Sequence, residues 1–222
     1  MALGADRRLE RGAVPPRVNE QLDSSAHANT MVYRINRYTS STDMLPRPTI
    51  EDFDAYLAGR GLRLDAIVVG GSALALLGIT DRQTRDFDIL HPELPQELAD
   101  AARIFAKQTR SRGVELADDW LNNGPIQLGD VLPDGWRLRV QPLFAGSALI
   151  LTTLGRADLL KTKLFALCDR GTDLPDCVAL APTTSELDDA APWLAKQDTN
   201  PLWPDHVRST LDDLRRRLHH GV

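Results

Sequence analysis

Apolar and polar positions give the clearest pattern in the stretch between residues 64 and 91. An unbroken apolar run, Ala66–Val69, ends in two glycines and a serine, Gly70–Ser72, and a second, mostly apolar segment, Phe87–Leu90, follows. Short apolar runs bounded by glycine are typical of buried strands, and glycine lets the chain turn tightly. The pattern predicts a strand, a glycine turn, a helix that opens at Ser72 and a second strand.

Helices are predicted both before and after residues 64–91. Thr49 is a suitable N-cap, and the apolar residues after it recur at helical spacing, at Ile50, Phe53 and Leu57. A further helix is predicted from residue 95 to about residue 112. Both helices would cover the predicted strands.

Two later segments have the pattern of strands. Residues 136–143 alternate at period two, and residues 147–152 form a short β-branched and apolar run. Turn signals between residues 113 and 135 predict a loop before them. This order of strands and helices predicts an α/β (α+β) fold, with a mixed sheet flanked by helices.

The strongest helical pattern covers residues 156–170. At about 100° per residue, Lys163 falls inside the apolar arc, whereas Lys161 lies at its edge. The arc consists of Leu159, Leu160, Leu164 and Leu167. A lysine aimed into a buried face must lose its charge, meet an anion or extend to solvent. Two alternatives stay open: Lys163 points into a cleft that binds phosphate, or it extends to the surface.

The remainder of the chain is predicted to be helical. Residues 183–187 have the pattern of a helix N-terminus, and the final helix has apolar residues on one face. Its other face carries arginines, namely Arg208, Arg215, Arg216 and Arg217. Such a face is either a solvated surface or a docking site for an anionic partner.

These patterns divide the chain into three parts. Residues 1–43 lack sustained periodicity and are predicted to form a flexible N-terminal arm. Residues 44–154 are predicted to be the catalytic core, and residues 155–222 a helical C-terminal part that completes the active site.

Composition narrows the class of protein. The 222 residues are 42% hydrophobic and 26% charged, with a net charge of −5, so a nucleic-acid partner would need a local basic patch. Two cysteines are too few for a disulfide scaffold or a tetrahedral zinc site, which favours a cytoplasmic location. No apolar stretch approaches the length of a membrane span, so no membrane partner is expected.

Candidate chemistry lies in the central stretch. Asp86 and Asp88 are two residues apart in a strand-like segment, so their carboxylates should project from one face and repel each other unless a cation lies between them. Such a pair suits Mg²⁺ or Mn²⁺, which also binds substrate phosphates. The backbone at Gly70 and Gly71, with the helix start at Ser72, would receive an anion. The structural alternative is a glycine turn beside an acidic strand edge.

The complete pattern, Gly-Gly-Ser, thirteen further residues and then Asp-Phe-Asp-Ile, resembles the signature of the polymerase-β-type nucleotidyltransferase superfamily. Within that superfamily, Arg82-x-Thr84-x-Asp86-Phe87-Asp88-Ile89 resembles the AbiEii-like nucleotidyltransferases, a group that includes toxins of toxin–antitoxin systems. The resemblance implies the nucleotidyltransferase fold and Mg²⁺-dependent transfer of NMP from an NTP, such as ATP, to tRNA or protein. An antitoxin protein is then an expected partner.

The resemblance also implies roles for particular residues. Asp86 and Asp88 would bind the metal and take part in catalysis, while Gly70, Gly71 and Ser72 would hold phosphates. Lys163 would offset charge on the NTP, and Asp176 would act as a base toward the acceptor. Asp173 is the alternative base, although its position before Pro175 and a helical run favours a cap for the following helix. Arg82 and Thr84 would either contact phosphate or brace the turn.

One feature departs from the superfamily pattern. Many of these enzymes place a third metal-binding carboxylate on a later strand, but the exposed phase of residues 136–143 carries Arg137, Arg139 and Gln141. Asp118 and Asp119 would substitute only if their loop folds back, and a solvated turn is the favoured interpretation. Two alternatives therefore remain: an antibiotic-modifying nucleotidyltransferase, and a nucleotide-binding module that has lost catalysis.

Overall fold

The computed structural model of the chain describes residues 44–220. The predicted arm, residues 1–43, lies outside the described residues. The helices are α1 (Pro46–Ala58), α2 (Gly70–Leu76), α3 (Gln96–Arg110), α4 (Leu128–Val131), α5 (Arg156–Arg170), α6 (Leu174–Leu180), α7 (Thr184–Leu194) and α8 (Trp203–His220). The strands are β1 (Leu64–Val69), β2 (Phe87–His91), β3 (Leu121–Asn122), β4 (Gln141–Ala145) and β5 (Leu149–Thr153).

The strands form one mixed sheet in the order β3-β2-β1-β5-β4. β1 pairs antiparallel with β2 and parallel with β5, β3 is parallel to β2, and β4 is antiparallel to β5. The register of β1 and β2 places Val69 opposite Asp88. This mixed, helix-flanked sheet confirms the predicted α/β (α+β) class.

Helices cover both faces of the sheet, so the central strands are buried on both sides. Along β1, Ala66 and Val68 belong to a core shared with α1 and α3, while Ile67 and Val69 pack with α5 and the later helices. β2 follows the same alternation, because Phe87 and Ile89 point to the first core and Leu90 to the second. Asp88 shares the phase of Leu90 and therefore faces the α5 side of the sheet.

Asp54 joins helix α1 to the sheet. Its carboxylate accepts hydrogen bonds from the backbone N–H groups of Ser147 (3.0 Å), Ala148 (2.8 Å) and Leu149 (2.8 Å), at the start of β5. Burial opposes ionisation, but the hydrogen bonds from Ala148, Ser147 and Leu149 outweigh it and lower the pKa of Asp54. A side chain at Gly146 would collide with this carboxylate. The β4–β5 turn is thus built around one acid.

Two helix starts differ from the prediction. Helix α1 begins at Pro46 with Leu45 as N-cap, and Thr49 lies inside the helix, where its hydroxyl donates to the Leu45 carbonyl (2.9 Å). Proline suits the first turn because its missing N–H would have no helical partner there. Helix α2 begins at Gly70 rather than at Ser72.

The strand predicted for residues 136–143 is partly wrong. Trp136–Arg139 forms a 3₁₀ helix, and only residues from Gln141 onward belong to a strand. Gly135, with φ of 74°, turns the chain into this helix, and the buried Trp136 indole donates to the Gly129 carbonyl (3.1 Å). The burial and the hydrogen bond of Trp136 outweigh the period-two pattern, because an extended backbone here would remove the indole from its buried position.

The N-terminus of α7 matches its prediction. The Thr183 hydroxyl accepts from the Glu186 backbone N–H (3.2 Å), and the Glu186 carboxylate accepts from the Thr183 backbone N–H (2.9 Å). This reciprocal pair is a capping box. Among residues 44–220, no helix is both long and apolar enough to cross a membrane.

We expect Asp54→Asn to lower the free energy of unfolding by about 1–3 kcal/mol at neutral pH, because an amide cannot accept all the bonds that the carboxylate accepts. Asp52→Asn, on the same helix, is the matched control and should change little. Because folding lowers the pKa of Asp54, the difference between wild type and Asp54→Asn should shrink as the pH falls through that pKa. Urea denaturation across acidic pH measures it, and a pH-independent difference would contradict the role of the charge.

Candidate active site

The site begins where β1 passes into α2. Gly70 has a φ of +81°, and a Cβ added to it would lie 2.5 Å from Asp88 Oδ2. Other residues rarely adopt this backbone conformation, and any side chain here would displace the carboxylate. Glycine at position 70 is therefore needed both for the turn and for the close approach of Asp88.

The two predicted acids lie at the start of β2. Asp86 immediately precedes the strand and Asp88 lies within it. Burial, and then the charge of Asp86, raise the pKa of Asp88 to about 6, against opposing effects of Asn122, Lys163 and Arg170. Burial also raises the pKa of Asp86. The site therefore disfavours two negative charges, and a bound cation would relieve this cost.

Lys163 is buried and paired with two acids. Its Nζ lies 2.7 Å from Asp176 Oδ2 and 3.1 Å from Asp173 Oδ1, and its side chain is only 9% exposed. The alternative in which this lysine extends to solvent is therefore excluded. Lys163 reaches into the cleft between α5 and β2, where its charge also favours the ionised form of Asp88.

Asp173 occupies the N-cap position of α6, as expected, but its side chain makes no capping hydrogen bond. The carboxylate instead binds Lys163 and Arg170, the latter at 3.2 Å. Burial opposes ionisation, but the charge of Lys163 and hydrogen bonds from Lys163 and Arg170 lower the pKa of Asp173. The predicted capping role is wrong, because two cations of α5, Lys163 in its middle and Arg170 at its end, bind the carboxylate instead.

Asp176 is buried and accepts from two cations. In addition to Lys163 it pairs with Arg82, whose Nη2 lies 3.1 Å from Asp176 Oδ1. Arg82 belongs to the loop between α2 and β2, so this ion pair ties the glycine turn and the acidic strand to α6. In the structure Arg82 therefore braces the turn, with its guanidinium half exposed at the edge of the site.

The other residues predicted to contact phosphate, Gly71, Ser72 and Thr84, do not line the cleft. Ser72 is fully buried, and its hydroxyl donates to the Val69 carbonyl at 3.4 Å. A Cβ on Gly71 would lie 3.2 Å from the Arg82 guanidinium and 3.5 Å from the Thr84 hydroxyl. Thr84 pairs through its backbone with Met44 and donates its hydroxyl to the Asp86 carbonyl (3.3 Å). These residues shape the turn, while Gly70 lines the cleft.

The cleft itself has a volume of about 350 Å³. It brings together Gly70, Asp88, Lys163 and Asp173 from four separate elements. Its lining residues are Val69, Gly70, Asp88, Gly124, Pro125, Leu128, Thr162, Lys163, Phe165, Ala166, Arg170 and Asp173. Four of these residues carry charged side chains, and several others are apolar, a combination that is common in small-molecule sites.

The strand beside β2 carries an asparagine that the sequence analysis missed. β3 pairs with β2 so that Asn122 lies in register with Asp88, and a hydrogen bond from Asn122 favours the ionised form of Asp88. The Gly124 N–H donates to Asn122 Oδ1 (2.7 Å), which fixes the orientation of the amide. The only sequence signal was an apolar pair, Trp120-Leu121, before the asparagine, because a two-residue strand has no periodicity.

Neither of the acids proposed as substitutes for a third carboxylate lines the cleft. Asp118 pairs with Arg110 and is exposed, and Asp119 is exposed, although its charge adds to the raised pKa of Asp86. Arg139 binds Asp158 (2.7 Å), and Gln141 donates to the Leu154 carbonyl (2.9 Å). In the part of the chain that the structure describes, no group of three or more His, Cys, Asp or Glu side chains is placed to hold a metal ion.

The residues present nevertheless fit a magnesium ion. Mg²⁺ is usually bound by one or two carboxylates together with water and substrate phosphates, rather than by a complete protein cage. Asp86 and Asp88 supply two carboxylates whose raised pKa values indicate strain that a cation would relieve. The amide of Asn122 is directed by Gly124 and adds no charge.

The arginines of α8 are already paired with acids. Arg215 binds Asp212 and Asp188, both at 2.6 Å, and Arg217 binds Asp213 at 2.7 Å. The other pairs are Arg208–Asp205 and Arg216–Asp213. The predicted basic face is therefore largely neutralised, and it gives no support to tRNA docking along this helix.

The two cysteines play no part in this chemistry. Both are buried, and burial raises the pKa of Cys168 to about 11 and that of Cys177 to about 12. Thiols that resist ionisation are poor nucleophiles and poor metal ligands.

A mixed five-stranded sheet, with a glycine turn beside Asp88 on the neighbouring strand and Asp86 just before that strand, is consistent with the nucleotidyltransferase fold. The profile of a family described as "Nucleotidyltransferase of unknown function (DUF6036)" matches residues 49–179, which is more than half of the chain. The chain belongs to this family, and at that level it is a transferase. No curated protein and no solved structure matches the chain. The matched segment includes both acids, Lys163 and Asp176.

We expect Asp88→Asn to stabilise the protein at pH values above 7 by about 1–2 kcal/mol. The pKa of Asp88 is about 6 in the folded protein, against 3.8 for an unperturbed aspartate, so the folded state resists ionisation more than the unfolded chain does. The gain should shrink as the pH falls below 6 and vanish below 3.8, where both states are protonated. Metal-free thermal or urea denaturation measures it. Asp65→Asn, at an exposed position on β1, should give no gain, and an equal gain there would refute the argument.

We expect Lys163→Met to lower the free energy of unfolding by about 3–5 kcal/mol, because it leaves the buried Asp176 and the partly buried Asp173 without the cation that they share. Lys161→Met removes the same charge from the same helix outside the network, and it should cost less than about 0.5 kcal/mol. Urea denaturation of both variants at neutral pH makes the comparison. Similar losses in the two variants would show that the ion network contributes little.

Proposed function

We propose that this protein is a Mg²⁺-dependent or Mn²⁺-dependent nucleotidyltransferase that moves NMP from an NTP to a tRNA or protein acceptor. The observation that carries the proposal is the buried Lys163, which shares one cleft with Asp88 and Gly70 although it lies far from them in sequence. A polyphosphate needs cations, close backbone approach and a metal-binding acid in one place, and this cleft offers all three.

Each residue has a proposed role. Asp86 and Asp88 hold the metal ion, and Gly70 lets the phosphates approach the backbone closely. If bound there, the metal would supply positive charge that offsets the negative charge developing as pyrophosphate leaves. Lys163 exchanges a carboxylate partner for a phosphate oxygen and stabilises the same charge.

Asp176 is the proposed base toward the acceptor hydroxyl. It accepts hydrogen bonds from both Lys163 and Arg82, which hold it in place. When Lys163 turns toward phosphate, one of these contacts is released and an oxygen of Asp176 becomes available to the acceptor hydroxyl. Binding of the NTP would thus prepare the base, which links the two halves of the site.

The AbiEii-like relationship, a toxin role and an antitoxin partner rest on the sequence resemblance. A second candidate function is a nucleotide-binding module without turnover. Asn122 favours it, because this amide occupies the strand position beside Asp88 and supplies no third negative charge. The two functions predict the same binding and differ only in transfer.

We expect the purified protein to transfer label from α-³²P-NTP to tRNA or protein when Mg²⁺ or Mn²⁺ is present, and chelation to abolish the transfer. Asp88→Asn should reduce it at least about 100-fold, because one of two metal-binding carboxylates is lost. Asp65→Asn is the control and should retain activity. Binding of NTP without labelling of any acceptor, small molecules included, would favour the binding module and reject the enzyme.

A further inference from the structure

The cleft has two unlike flanks, and helix α5 contributes to both. Lys163 and Phe165 both line the cleft. At about 100° per residue they lie roughly 160° apart around the helix, with Thr162 and Ala166 between them. One flank of the helix therefore presents the ammonium group to the cleft, and the opposite flank presents an aromatic ring.

The apolar flank offers no side chain that forms hydrogen bonds. Its residues are Leu128, Phe165 and Ala166, whereas Val69 and Gly124, which also line the cleft, lie beside Asp88. Thr162, which lies between the flanks, is buried and donates its hydroxyl to the Leu159 carbonyl at 2.7 Å. A flat organic group bound here would contact mainly apolar side chains and would find few hydrogen-bond partners.

Two tryptophans pack against the ring of Phe165. Its centroid lies 6.3 Å from that of Trp193 and 6.2 Å from that of Trp203, both in edge-to-face geometry. Each indole N–H is engaged, with the Val131 carbonyl (3.1 Å) for Trp193 and the Leu194 carbonyl (2.8 Å) for Trp203. These bonds fix the rings that support Phe165.

The same contacts connect both walls of the apolar flank. Trp193 belongs to α7, and its indole binds the last residue of α4, while Leu128 at the start of α4 lines the cleft. Phe165 is only half buried, so part of its surface remains open to the cleft. An aromatic surface held in place in this way suits a planar ligand, because little entropy is lost when the ligand binds.

We propose that Phe165 is the stacking platform for the nucleobase of the bound NTP, and that this cleft accepts all four bases. The inference rests on the proposed function and adds the base subsite to it. With the phosphates directed toward Lys163 and the metal-binding acids, the base extends toward the opposite flank of α5. Stacking tolerates every base because each has a π face, and the flank has no polar side chain to distinguish among them.

The test compares Mg²⁺ complexes of ATP, GTP, CTP and UTP with inorganic tripolyphosphate, by titration calorimetry on the full chain. Phe165→Leu keeps an apolar side chain but removes the π system, and Phe165→Tyr restores it. Phe144→Leu is the matched control, because Phe144 is also half buried but lies on β4 outside the cleft lining. Thermal denaturation of every variant verifies folding.

We expect Phe165→Leu to weaken binding of each NTP at least about fivefold and to leave tripolyphosphate affinity within about twofold of wild type. Phe165→Tyr and Phe144→Leu should bind NTPs like wild type, and the four wild-type affinities should agree within about tenfold. Equal losses for NTP and tripolyphosphate, unchanged NTP affinity in Phe165→Leu, or a preference above about 100-fold for one base would overturn the inference.

Failure of the proposed function gives a different result. In that case wild type binds neither NTP nor tripolyphosphate, or Asp88→Asn binds them as tightly as wild type does. The inferred base subsite is then rejected as well. If wild type binds NTP in a manner that Asp88→Asn abolishes, while Phe165→Leu retains full affinity, only the stacking role is rejected.

Discussion

The arrangement of this site depends on the burial of Lys163 between Asp173 and Asp176. An unpaired charge at this depth is costly, and the two acids of the α6 region supply the partners that hold Lys163 in place near Asp88. Arg82 extends the network to the turn that carries Gly70. Elements that are distant in sequence are thereby held around one cleft by a few buried charges, where apolar packing alone would leave their relative positions less defined.

This arrangement is energetically unfavourable for the ionised form of Asp88. Its carboxylate is pressed against the backbone of Gly70 and is partly desolvated, so folding raises its pKa instead of lowering it. An acid that destabilises the folded protein has no structural advantage over an asparagine at the same position. It becomes favourable once a cation binds, since the strain is then converted into affinity. The raised pKa is thus better explained by ligand binding than by folding, which is the usual relation at functional sites.

Local sequence patterns were enough to predict the parts of the site that are close in sequence. The β1–Gly70–β2 arrangement follows from apolar runs and glycines, and the inward direction of Lys163 follows from helical periodicity. Local patterns gave wrong predictions where a contact with a residue outside the pattern determines the local structure. Residues 136–139 alternate like a strand, but burial of Trp136 against Gly129 gives a 3₁₀ helix. Asp173 has the position of a cap, but cations from α5 claim its carboxylate.

Asn122 shows why a missing third acid need not leave a gap in the site. The analysis of sequence placed the third position on residues 136–143, yet the strand next to β2 is β3, and its residue in register with Asp88 is an amide. A carboxylate there would add a third negative charge beside an Asp88 whose pKa is already about 6, and would raise it further. The amide instead favours the ionised form of Asp88. Under the proposed function, two acids rather than three would supply less of the charge that holds the metal, and the phosphates of the nucleotide would have to supply more. Metal and nucleotide would then bind together, each strengthening the binding of the other.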